Sequence, residues 1–126
     1  MKFVAVKEHR YWWPIRVKVP NPEPRAAGTF LDQSFKAQFV SIPKDEAMAL
    51  EREIRVLPET ERAGREHALL ERVLVGWDDN IVDEEGKPVP FSIEQFRELM
   101  QSSWFRIGAY QGWNESVVGE EARRGN

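Results

Sequence analysis

The stretch WDDNIVDEEGKPVPFSIEQFRELM, Trp77 to Met100, decides how this chain is organised. It opens on a tryptophan at the end of an amphipathic run, crosses a polar turn around Glu85-Gly86-Lys87, and passes Pro88 and Pro90. Ser92 followed by Gln95 is a capping-box pattern, in which the serine hydroxyl accepts an otherwise orphaned backbone N–H and starts a helix. Ile93, Phe96, Leu99 and Met100 then recur at helical spacing. The stretch predicts a rigid joint that holds two helices at a set angle, with the flanking elements packed around it.

Upstream, PETERAGREHALLERVLVGW (58–77) reads as one amphipathic helix, with Ala63, Leu70, Val73, Leu74 and Trp77 on one face and Gly76 as its terminator. Before it, Pro43 with Asp45 and Glu46 marks another helix start, because acidic side chains favour the positive end of the helix dipole. Its predicted stripe is Ala47, Leu50, Ile54 and Leu57. Past Ser102-Ser103 a last helix is predicted from Trp104, presenting Trp104, Ile107, Tyr110, Trp113 or Asn114, and Val117.

The first third has period two. Lys2 to Lys7 is a short Val-rich run read as a strand. Tyr11, Trp13, Ile15, Val17 and Val19 share one face of a second run, with Arg16 and Lys18 on the other. Pro14 lacks a backbone N–H, which puts this strand at a sheet edge or starts its pairing after Pro14. Prolines at alternate positions make 20–28 a loop, after which Phe35, Ala37 and Phe39 alternate with Lys36 and Gln38. The expected class is therefore α+β: a small antiparallel N-terminal sheet packed against about four helices. One domain spans 1–119, with strands about 2–42 and helices about 43–119, and 120–126 is a polar tail expected to fray.

Composition narrows the function classes. At 126 residues, 41% hydrophobic and 31% charged, the chain can build a core without staples. A formal net charge of -3 supplies no general attraction to nucleic acid or anionic membrane. With no cysteine there are no disulfides, thiol nucleophiles or thiolate metal sites. The apolar patch Phe3–Val6 is too short for a signal-peptide core, and no apolar run approaches the about 20 residues a bilayer requires. A soluble, intracellular protein is expected.

Candidate chemistry is sparse. Asp78, Asp79, Asp83, Glu84 and Glu85 suggest a metal, but a calcium loop with Gly86 at its sixth position would begin at Ile81 and end at Ser92, neither a suitable ligand. The plainer reading is a tight turn with Gly86 at positive φ. Glu85-Gly86-Lys87 has the Glu-x-Lys form of metal-dependent nucleases, yet such a site needs a further acid from a separate strand. His9 and His67, the only histidines, lie in no zinc or triad pattern. No catalytic, metal or cofactor-binding residue is predicted. Aromatic density is higher than usual: five Trp, seven Phe and two Tyr. Trp12 either points outward as a contact anchor or is covered by a later helix or the proline loop, and Trp104-Phe105 poses the same question.

These features, taken together, resemble the tail assembly chaperones of long-tailed phages. The resemblance runs from about Thr29 to Asn126 and is carried by FKAQFVSIPKDEAMAL, LLERVLVGW, Gly76-Trp77, Asp83, Gly86-Lys87-Pro88, Pro90-Phe91-Ser92 and the aromatic-led last helix. The YWWP strand departs from the pattern. The resemblance implies a non-enzymatic partner of the tape measure protein and of tail tube subunits, acting in the host cytoplasm and absent from the mature virion. Possible self-association, and a longer frameshifted form extending the tail, belong to the same expectation. The candidate partner-binding residues are Trp12, Trp77, Phe91, Met100 and Trp104. Alternatives are a structural minor tail or connector protein and, further off, the Glu85/Lys87 nuclease.

Overall fold

Alternation in the first third does become a hairpin. In the computed structural model, which describes residues 1–123, β1 (Arg10–Pro20) and β2 (Phe30–Val40) pair antiparallel over their whole length, Arg10 opposite Val40 and Pro20 opposite Phe30. Ile15 and Val17 face the same interior as Phe35, Ala37 and Phe39. β1 lies at the edge, as Pro14 requires. Pro14 opposes Lys36, whose carbonyl accepts Asp78 N–H on the far side of β2, so the missing proline N–H breaks no rung between β1 and β2.

Two expectations fail here. Lys2 to Lys7 joins no strand, and the whole segment before Arg10 is exposed. Nor is 58–77 one helix. It breaks into α2 (Glu59–Arg62), a 3-10 turn (Ala63–Arg65), α3 (Ala68–Val73) and a short strand β3 (Leu74–Trp77). β3 pairs antiparallel with β2, Trp77 opposite Ala37 and Gly76 opposite Gln38, giving the order β1-β2-β3. The side-chain pattern of LVGW suits either element, and the unpaired backbone of β2 selects the strand. Gly76 is suited to the place, because a Cβ there would sit 3.3 Å from the Gln38 side-chain oxygen.

Helices cover one face of the sheet. α1 (Lys44–Arg55) buries nothing fully, and its predicted stripe is only half-covered. α4 (Ile93–Leu99) begins as expected, with Ser92 Oγ accepting Gln95 N–H at 3.1 Å, and buries Phe96. α5 (Ser103–Arg123) follows, interrupted at Gly119 (φ 78°, ψ 172°), just before the tail anticipated from 120. Residues 124–126 of that tail lie outside the described residues. Phe35, Trp77, Phe96 and Phe105 form an aromatic core, with Phe35 and Phe105 stacked at 5.6 Å. Phe39 and Phe96 are wholly buried, each contributing about 1.5–3 kcal/mol of transfer free energy.

α5 does not use the face its large residues suggest. Phe105, Gly108, Ala109 and Gly112 turn inward, leaving Trp104, Ile107 and Val117 in solvent. The reason is distance. A Cβ on Gly108 would lie 2.6 Å from the Arg16 carbonyl oxygen, and one on Gly112 would lie 2.3 Å from Ile15 Cδ1. Only glycine lets the helix backbone reach the outer edge of β1, where an uncovered strand would otherwise recruit other chains. Tyr11 Oη, 2.9 Å from Ser116 Oγ, ties the far end of the same seam.

Gly108→Ala meets backbone that cannot move aside, and should lower stability by about 1–3 kcal/mol in urea unfolding despite alanine's better helix propensity. Gly64→Ala, with nothing within 4 Å of the added carbon, should be close to neutral in the same measurement.

Candidate functional site

The acidic joint is built from its own side chains. Asp83 Oδ1 accepts Glu85 N–H at 2.9 Å and Lys87 N–H at 3.0 Å, while Gly86 turns the chain at φ 83°. Asp78 Oδ1 accepts the backbone N–H groups of Lys36 and Asn80. These carboxylates are spent on turn geometry. Glu85 and Lys87 pair with each other, 3.5 Å apart and three-quarters exposed. Among the described residues no group of three His, Cys, Asp or Glu side chains comes together to hold a metal ion.

His67 is better placed than its sequence context suggested. Its Nδ1 lies 2.7 Å from Tyr110 Oη, and its Nε2 lies 3.3 Å from Glu66. Glu66, His67 and Tyr110 thus stand in the order of an acid–base relay, and Glu66 and His67 line a cavity of about 270 Å³ together with Arg97 and Glu71. The electrostatics oppose that role. Burial, with the negative charges of Glu66 and Glu71, pushes the Tyr110 hydroxyl above its ordinary value. The phenol keeps its proton and serves as a hydrogen-bonding partner, whereas a nucleophile needs a lowered pKa. Arg97, 62% exposed, is also raised, first by its hydrogen bond to Glu71 and then by the charge of that carboxylate.

The predicted contact residues divide. Trp77 is 8% exposed, its Nε1 donating to the Val89 carbonyl at 2.7 Å, and Met100 is 5% exposed. Both belong to the core, which corrects their placement among surface contacts: β3 and α4 turn them inward. Phe91 is half-buried, edge-on to Trp77 at 4.8 Å. Trp12 is 50% exposed on the solvent face of the sheet, opposite Gln38. Trp104 is 43% exposed, at the corner where α4 turns into α5.

That corner is rigid. Arg106 Nη1 donates to the Met100 carbonyl at 2.8 Å, and Phe105 is held in the core against Phe35. One residue earlier on the helix, Trp104 must therefore point out. It forms a ridge between two hollows. On one side lies a shelf of about 290 Å³ bounded by Ile107, Phe30, Pro20, Arg16 and Lys18, with Ile107 65% and Phe30 56% exposed. On the other lies a cleft of about 700 Å³, floored by Val17, Val19, Phe35, Ile81 and Leu99 and rimmed by Asp32, Asp83 and Glu84. One hollow is apolar with a basic rim, the other apolar with an acidic rim.

Sequence reasoning missed Phe30 and Ile107. Ile107 falls on the stripe that the last helix is predicted to present, and the signal that it stays outside is the spacing Gly108–Gly112, which marks the close-packed face. Comparison with protein-family models, with curated proteins and with solved structures returns no match.

Two outcomes follow. The folded protein holds the Tyr110 proton more tightly than the unfolded chain. The stability from this group is therefore full below about pH 10, the ordinary tyrosine value, and is lost as pH rises through the higher folded value. Tyr110→Phe should remove a step lying above the ordinary tyrosine value from the 295 nm titration, flatten that part of the stability profile, and cost about 1 kcal/mol at neutral pH through the lost hydrogen bond. With magnesium and plasmid DNA, wild type and Glu85→Ala should leave the DNA equally intact; cleavage that depends on Glu85 would restore the nuclease reading.

Proposed function

We propose that this chain is a non-catalytic assembly factor of the phage tail assembly chaperone class. It would bind the tape measure protein and tail tube subunits in the host cytoplasm and depart before the virion is complete. The observation that carries the reading is the exposed apolar shelf of Trp104, Ile107 and Phe30 on a helix clamped to the sheet. Aromatic and aliphatic side chains held rigidly at a surface suit docking of an amphipathic helix, whose apolar stripe would aggregate if left bare. Arg16 and Lys18 at its rim favour a helix whose flanks carry acidic residues. The sequence resemblance supplies the biological setting. No helix among the described residues is long and apolar enough to cross a membrane, which is compatible with a cytoplasmic site of action.

Co-expression with a candidate tape measure protein tests the proposal. Wild type should move that partner from pellet to supernatant, and Phe30→Asp/Ile107→Asp should leave it in the pellet. Both altered positions are more than half exposed, so the double variant should melt like wild type. A partner solubilised equally by both forms would overturn the assignment of the shelf. Recovery of the chain in purified virions would favour a minor tail or connector protein instead.

A further inference from the structure

β3 is four residues long, so it covers only part of β2. Pairing runs from Ala37 to Phe39, extended by Asp78 N–H on the Lys36 carbonyl and by the Asn80 side-chain amide on the Ser34 carbonyl. Backbone groups two residues apart on a strand point to the same side. Asp32 and Phe30 therefore aim their N–H and C=O groups the same way as Lys36, beyond the end of β3. Among the described residues no partner meets them there. This bare edge runs along the wall of the 700 Å³ cleft, which Asp32, Gln33 and Ser34 line on one side and Ile81 to Glu84 on the other. A free strand edge over an apolar floor is a site for strand addition.

The chain also carries a segment with the matching character. Phe3, Val4 and Val6 are 94%, 71% and 57% exposed, in a β-prone run that joins no strand among the described residues and is bracketed by Lys2 and Lys7. Its lysines complement the acidic rim, where Glu84 is exposed and Asp32 lies 3.8 Å from Lys18, at the limit of an ion pair. Its own cleft is out of reach. The segment leaves the sheet at Arg10, whereas the cleft lies at the opposite end of β1, by Val17 and Val19. Arg10 to Val19 spans about 30 Å at the strand rise. Phe3, seven residues before Arg10, extends at most about 25 Å and must first reverse direction.

We propose that residues 1–7 of a second copy dock in this cleft as an added strand on the free edge of β2. The contact is head-to-tail, so it grows into a ring or an open chain of copies. It does not depend on the chaperone reading, because no partner other than the chain itself takes part.

Sedimentation of the full chain over a concentration series tests it. Wild type should rise in mass with concentration. Val4→Asp/Val6→Asp, altering the arm, and Asp32→Lys/Glu84→Lys, altering the rim, should each stay at the mass of one chain. All four positions are exposed, and the melting curve of each variant checks its fold. Mixed together, the two variants should form a 1:1 pair and stop there, since only one intact arm and one intact cleft remain. The proposal is overturned if wild type stays monomeric to about 1 mM, if the arm variant associates like wild type, or if the folded variants fail to pair when mixed.

Discussion

The approach of α5 to the outer edge of β1 sets the terms for the rest of the molecule. Helix backbone and strand backbone come close enough at Gly108 and Gly112 that a single methyl group would collide. The approach shields an edge strand that already carries Pro14. It also fixes the rotation of α5 about its own axis. With Gly108, Ala109 and Gly112 turned in, helical geometry leaves Trp104 and Ile107 outside.

The joint from Trp77 to Met100 does the complementary work. Trp77, anchored by the Val89 carbonyl and flanked by Phe35 and Phe91, locks the turn onto the end of the sheet. The carboxylates of Asp78 and Asp83 are consumed in shaping that turn. Acidic side chains in such a cluster invite a metal hypothesis, yet their partners here are backbone N–H groups. Arg106 then pins the corner between α4 and α5 and completes the support beneath Trp104.

Two surfaces of different chemistry result, one on each side of a single tryptophan. The shelf is a shallow hollow of about 290 Å³ bounded by apolar side chains and basic at its rim, which suits a helix. The cleft is larger, acidic at its rim, and bordered by unpaired strand backbone, which suits an extended segment. The two hollows meet at Trp104, which lines both, and the free edge of β2 reaches Phe30 on the shelf.

Much of the fold was legible in the residues themselves. Period-two alternation in 11–19 and 35–39 located the hairpin and its inner face, Pro14 placed β1 at an edge, and Ser92 with Gln95 opened α4. Each of these signals is local, since a strand's pleat, a proline's missing N–H and a helix cap depend on neighbours in sequence. The contact residues were less legible: Trp77 and Met100 were named with Trp104 because aromatic and flexible apolar side chains serve cores and interfaces alike. What the chain order could not decide was every choice between equally apolar alternatives. LVGW became a strand because β2 had an open edge to fill, and α5 buried glycines instead of Ile107 because only they admit the neighbouring backbone. The run before Arg10 stayed bare because this fold provides it no partner strand. Those outcomes depend on distances between segments far apart in the chain, and such distances exist only once the fold has formed.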